Sequence, residues 1–399
     1  MQRRSALLLW PLVLPLTLSA QRVIDLPAAD RLISVRSESV YKVGGDLAEG
    51  WAQFSQIDAV AFDSAGQLYA LDRHALRLIV IDARGRFVRN VGGRGQGPGE
   101  FAAVSSFAAF PDGSLVVRDP IKEVFIRYDA EGKHAGDVRV GYDHGSPGAL
   151  APVGRDALVA LTQIFWVNGE ATADVGNRFG PATDIPLQRI ALARPSTRLI
   201  TRAWLQPRPP RPAPRTPHGL ATLPRWTAAP DGRLALADSI TYEIDLFDAA
   251  GRAYARVRRA LPLQLASPAF REWARGEERA KLSTKASGQA RTSAVTPVAR
   301  YQSGERDLAL MTFADHIQLI QKMRADWQGR IWIERAPNRA GEPGLLDLLT
   351  FDGRYLGTLA KARLPDAFGP NGLVAYIQKD EFESPVILVQ RLHVTATTQ

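Results

Sequence analysis

The feature that most limits what this chain can become is a repeat. The stretch "YKVGGDLAEGWAQFSQIDAVAFDSAGQLYALD" (41–72) recurs as "RNVGGRGQGPGEFAAVSSFAAFPDGSLVVRD" (89–119). Val43 aligns with Val91 and Phe62 with Phe110, both at an offset of 48 residues. Looser copies follow at "WTAAPDGRLALAD" (226–238) and "KMRADWQGRIWIE" (322–334), and a final half-copy begins at Gly372. Aspartate and glycine punctuate each copy, as at Asp63 and Gly66, Asp82 and Gly85, Asp129 and Gly132, and Asp248 and Gly251. The runs between them are short, apolar and β-branched or alternating, the pattern of antiparallel strands joined by tight turns. A repeat of this length with four strands, here called A to D from the inside out, reads as a propeller blade.

Six blades account for the chain: 57–92, 104–141, 147–204, 224–261, 318–363 and 366–395. The third is degenerate, and the sixth runs out before its D strand. The segment "RLISVRSESVYKVGG" (31–45) ends in the same Val-Gly-Gly as the D strand of blade one. It is expected to supply the missing strand and close the ring, which leaves no open edge. The fold class is therefore all-β: a six-bladed β-propeller of four-stranded antiparallel blades, with a partly helical insertion at 262–317 between blades four and five. Residues 62–101 resemble the NHL repeat, in the form found in exported bacterial six-bladed propellers. The resemblance implies this fold and leaves activity open, because the architecture hosts lyases, lactonases, scaffolds and receptors.

Strand alternation assigns the loops to faces. If A runs down, then B runs up, so D-to-A connectors and B-to-C turns share one face and the Asp-Gly turns lie on the other. The long segments 166–184, 202–224, 262–317 and 335–343 all fall on the first of these, the loop face. Function commonly sits on the elaborated loops of a rigid scaffold. These loops also carry most of the chain's net positive charge, which is +9 overall. Arg208, Arg211 and Arg215 stand in the proline-rich "LQPRPPRPAPRTPH" (205–218), an extended arm suited to guiding an anion. A helix is expected over 267–289, starting at Ser267 and Pro268, either as a lid on the central channel or packed on a blade.

The N-terminal "MQRR" followed by "ALLLWPLVLPLTL" and "SAQR" has the order of a secretory signal, expected to end at residue 20. The expected localisation is exported, periplasmic or secreted, with no transmembrane segment in the mature chain, and export argues against nucleic acid as partner. The absence of cysteine excludes disulfides, thiolate metal ligands and a cysteine nucleophile. The six histidines lie at no metal-ligand spacing, and no Gly-x-Ser-x-Gly elbow or phosphate loop ending in Lys-Ser/Thr occurs. The acidic residues closing each B strand (Asp72, Asp119, Asp238, Glu334 and Asp380) suit turn-capping better than a calcium site. The glycine-rich "GGRGQGPGEF" (92–101) is expected to be a connector, its glycines supplying positive φ and Phe101 anchoring the return.

The mouth end of the A strands supplies candidate ligand contacts: Asp58, Ser106, Arg225, Trp226, Gln321 and Lys322. In this set Arg225 offers a carboxylate fork and Trp226 a stacking platform. The function expected is a binding or interaction module whose loop face takes an anionic small molecule, glycan or peptide, or a protein partner. No cofactor is expected and no catalytic residue is assigned. The alternative is a lyase- or lactonase-like propeller enzyme with a divalent metal such as calcium in the central channel, which requires several inward oxygen or nitrogen ligands.

Overall fold

Five-residue turns set the strand pairs. The computed structural model describes residues 21–141, 143–167, 170–175, 178–181, 184–206, 217–288 and 304–395. In turn after turn, the amide of the first residue donates to the carbonyl of the fifth: Asp63 to Gln67 (3.2 Å), Asp82 to Arg86 (2.9 Å), Asp129 to Lys133 (3.0 Å), Asp248 to Arg252 (3.0 Å). The fourth residue is glycine at φ between +78° and +83° in these four turns (Gly66, Gly85, Gly132, Gly251). That left-handed residue turns the chain back with the twist of the flanking strands, and a Cβ there would be strained.

The protein is a six-bladed β-propeller. Blade one is Ala59–Phe62, Leu68–Asp72, Arg77–Ile81 and Phe87–Val91. Blade two is Ser106–Ala109, Leu115–Asp119, Val124–Tyr128 and His134–Val138. Blade three opens on Pro147–Val153, a strand the sequence pattern did not assign, and continues through Ala157–Thr162, Asp184–Ala191 and Ser196–Trp204. Blades four and five start at Arg225–Ala228 and Ile320–Ala325 and end at Ala253–Arg259 and Tyr355–Leu359. Blade six is Ala367–Phe368, Leu373–Lys379 and Pro385–Thr395, completed by Ser34–Gly44 pairing antiparallel with Pro385–Thr395.

Packing follows from the two-residue period of a strand. In strand B of blade one, Leu68 and Ala70 face blade six, whereas Tyr69 and Leu71 face blade two. Both faces of the strand are covered, so it is apolar throughout rather than alternating. One buried cluster forms between each neighbouring pair of blades around the ring. The outermost strand of blade one buries little, with mostly exposed residues, whereas Tyr355–Leu359 of blade five, which the N-terminal segment meets, is mostly buried.

The N-terminal segment does more than close the ring. Arg22–Leu26 adds a fifth, parallel strand outside Ala253–Arg259 of blade four. Leu32 then bridges Thr358 at the rim of blade five before the chain enters blade six. Between them lies a buried ionic knot. Arg259, fully enclosed, pairs with Asp347 and Asp30 (2.7 Å each), and Arg335 reaches Asp30 (2.9 Å). The strap thus fastens three successive blades along their outer edge.

The insertions lie where strand alternation puts them. Between strands B and C of blade three stand three short antiparallel strands, Ile164–Val167, Glu170–Val175 and Arg178–Pro181, where the sequence suggested only a loop. Helix α1 (Pro268–Gly288) belongs to the insertion between blades four and five.

Candidate functional site

The loop and turn faces are joined by a central channel of about 470 Å³. The first strands of the blades line it with small and apolar residues such as Ala59, Val60, Phe107, Leu150, Ala228 and Ala367. At its loop end stand Asp58 and Ser106. Asp58 accepts hydrogen bonds from the Arg73 amide (3.0 Å) and Gln56 Nε2 (2.9 Å), and its carboxylate pairs with the Arg73 guanidinium at 3.6 Å. Ser106 Oγ donates to the Gly148 carbonyl (3.0 Å). A second channel carboxylate, Asp366, is held by Arg363 (2.9 Å) and the Ile377 amide (2.8 Å).

The other expected contacts do not join Asp58 and Ser106. Counted from the A-to-B turns, Ser106 and Arg225 stand level with Ala59 and Lys322, one residue below Asp58. Gln321 occupies a β-bulge between Ile320 and Lys322, which turns it out of register, and its Nε2 donates to the Gln318 carbonyl. Lys322 pairs with Glu334 at 3.2 Å on the surface. Trp226 packs into the interface between blades three and four. Arg208, Arg211 and Arg215 lie outside the described residues, as does the apolar N-terminal run.

Arg225 and Gln321 instead line a cavity of about 290 Å³ beneath α1, together with Trp273, Glu277, Gln318 and Leu223. The helix is anchored by Phe270, which packs with Ala266, Ile317 and Ala336 above blades four and five. None of its residues 268–281 lines the central channel, and this part of α1 roofs a side cavity rather than the channel mouth. The linker between blades three and four is tied to the insertion by a parallel bridge pairing His218–Gly219 with Thr312–Phe313, and by the His218 ring against Thr312 Oγ1 (2.8 Å). Gln318, buried, braces the floor: its Oε1 accepts from the Leu223 amide (3.1 Å) and its Nε2 donates to the Leu223 carbonyl (3.0 Å).

Within this cavity Arg225 is under-satisfied. Its Nε is buried with no hydrogen-bond partner among the described residues. Burial pulls its pKa below the ordinary arginine value, and the charge of Glu334 offsets this only in part. Arginine stays protonated in any protein setting, so the effect is a cation short of counter-charge rather than a neutral base.

The glycine-rich connector is a different matter. Phe101 is fully buried against the first two blades and lies on Gly92, where an added Cβ would come within 2.1 Å of its ring. The amide of Gly97 donates to the Glu100 carboxylate (2.8 Å), and Lys122 Nζ donates to the carbonyls of Gly97 (2.9 Å) and Glu100 (2.8 Å). The loop is wrapped around its own carboxylate, where a phosphate loop would offer free amides.

Four of the acids at the ends of the B strands, Asp72, Asp119, Asp238 and Asp380, accept backbone amides as clamps, whereas Glu334 pairs with Lys322 instead. Asp119 accepts from the amides of Ile121 and Lys122 in its own turn and of Ala102 and Ala103 in the incoming connector. Asp72 does the same with Ala75 and Ser55, and Asp238 with Trp204. Among the described residues no three His, Asp or Glu side chains converge on one point. A channel metal does not fit them, since Asp58 and Asp366 are both already held by arginines.

Sequence reasoning missed Arg324. It stands one residue above the A-to-B turn of blade five, where four other blades place Ala61, Ala108, Thr227 and Ala367. A large cation in a ring of small residues was the available signal.

Compared with known proteins, residues 52–143 match the family model DUF5128, described as a 6-bladed beta-propeller. No curated protein matches the chain. Among solved structures, the chain is similar to a member of the DUF4221 family from Bacteroides vulgatus, at 11% identity and a TM-score of 0.47, covering 92% of this chain and 100% of that one. It is also similar to a gluconolactonase of Xanthomonas campestris, at 14% identity and a TM-score of 0.41, covering 91% and 92%. A streptogramin B lyase follows at 11% identity and a TM-score of 0.39, covering 89% and 98%. What those proteins act on is a property of those proteins.

Proposed function

We propose that this protein is an exported binding module whose loop face takes an anionic small molecule, glycan or acidic peptide into the cavity beneath α1. One observation carries the reading: the Arg225 guanidinium lines that cavity with a buried Nε that no described residue satisfies. A ligand carboxylate would meet the guanidinium fork and relieve the burial cost of the cation. Trp273, at the cavity wall, offers an apolar surface to the rest of the ligand.

The test is calorimetric titration of the full mature chain with glucuronate, succinate and a short acidic peptide, repeated on Arg225→Gln. At least one is expected to bind, with affinity reduced tenfold or more in the variant. Equal binding by both proteins, or binding by none of the three, would sink the proposal. Stoichiometric, tightly held divalent metal in the purified protein, with a hydrolytic or lyase activity lost on chelation, would favour the enzyme alternative. Export is tested by N-terminal sequencing of protein from the periplasmic fraction. A start near Gln21 supports it, and an intact Met1 in the cytoplasm refutes it. Among the described residues no helix is long and apolar enough to cross a membrane.

A further inference from the structure

We propose that the central channel is a second, separate site, which binds a small organic monocarboxylate through Arg324. Of the charged groups lining the channel, Asp58 and Arg73 pair with each other and Asp366 pairs with Arg363. Glu334, the other acid whose charge reaches Arg324, is paired with Lys322. Arg324 forms no ion pair or hydrogen bond through its side chain among the described residues, which leaves one uncompensated positive charge in the channel. Its side chain stands open to the channel, and its pKa is drawn below the ordinary arginine value by the packing around it and by the Arg363 charge, opposed by Asp366 and Glu334.

The backbone that carries this cation is fixed. Arg324 pairs with Trp332 across the sheet, and the amide of the next residue, Ala325, donates to Thr227 Oγ1 of blade four (2.7 Å). The strand that presents the guanidinium is thus locked to its neighbours, and the guanidinium fork suits a planar, bidentate partner. The walls define the remainder of the ligand. Val60, Phe62, Leu150, Trp327 and Phe368 are apolar, and Trp327 is held in place by its Nε1 donating to the Phe368 carbonyl (2.8 Å). One cation without an ion-pair partner among the described residues, beside these apolar side chains, suits one carboxylate on an apolar body. A dianion such as phosphate would bring in a second charge with nothing to meet it. A volume of about 470 Å³ lies within the range of small-molecule sites.

The experiment is calorimetric titration of the full mature chain with benzoate, benzamide and inorganic phosphate. Benzoate is expected to bind at least tenfold more tightly than either of the others. Arg324→Gln should reduce benzoate affinity for the channel tenfold or more and Arg324→Lys should fall between, each read in the Arg225→Gln background so that the cavity beneath α1 does not contribute. Ala149→Phe, which fills the exposed channel wall without touching a charge, should also abolish binding and serves if Arg324→Gln fails to fold. The proposal is overturned if benzoate does not bind, or if benzamide or phosphate binds equally well. It is also overturned if Arg225→Gln, rather than the channel variants, removes the site. That last result would assign the carboxylate to the cavity beneath α1, so the two proposals fail separately.

Discussion

Glu100 shows how one side chain decides what a glycine-rich loop is for. Its carboxylate lies 1.9 Å from where a Cβ on Gly95 would stand, so that glycine makes room for an internal acid rather than for a ligand. Gly92 answers to Phe101 in the same way, at φ +69°. Gly92→Ala should cost about 2 kcal/mol or more, from the left-handed backbone and the collision with the ring together. Phe101→Ala, which empties a fully buried site, should cost about 3–5 kcal/mol. Urea denaturation of the double variant separates the two causes: with the ring gone, Gly92→Ala should retain only its backbone cost. Additive losses would mean that the ring and the glycine do not meet as described. The connector role was legible because the earlier copy, "GGDLAEGWAQF", keeps the frame with fewer glycines. The Glu100 contact was not legible, since nothing in the spacing says which way a carboxylate will fold.

At the scale of elements, turns and strap respond to different perturbations. Asp248, first in the turn of blade four, is held below the usual carboxylate range chiefly by the Arg252 amide, with help from the Arg252 side chain. For Asp82 burial works upward, and hydrogen bonds from Arg86 and Arg84 outweigh it. A carboxyl whose folded pKa is lowered stabilises fully above its unfolded pKa of about 3.9 and loses that contribution as pH falls through the folded value. Stability should therefore drop below about pH 4, and the Asp82→Asn, Asp248→Asn pair should flatten that acid slope in thermal melts. An unchanged slope would place the acid sensitivity elsewhere. The strap depends instead on the knot around Arg259. Arg259→Met leaves Asp347 buried with a weakened set of partners and should cost about 3–5 kcal/mol. Hydrogen exchange over residues 22–31 should quicken in that variant, whereas continued protection would show that strand pairing alone holds the strap. The closing strand was readable from its repeated Val-Gly-Gly, but the parallel strand Arg22–Leu26 carries no repeat pattern. It is an added edge strand, and only the presence of blade four gives it a place.

At the scale of the molecule, the ring explains why the fold was easier to read than the site. Turns and strand periods recur, so each copy corroborates the others, and the loop face follows from counting strands. Ligand contacts do not recur. Arg225 and Gln321 looked equivalent to Asp58 in a linear alignment, yet a bulge and a one-residue offset send them into another cavity. Deleting residues 34–44 should expose the whole edge of Pro385–Thr395 and yield oligomers or aggregates by size-exclusion chromatography. A well-behaved monomer would show that six blades close without the eleventh-hour strand. That strand also fixes a timetable. Ser34–Gly44 leaves the ribosome long before Pro385–Thr395, its only neighbour in the sheet, has been made. The usual order, in which N-terminal parts fold first during synthesis, is therefore barred for the last blade. Residues 34–44 must wait, unpaired and open to capture, until residues 385–395 arrive.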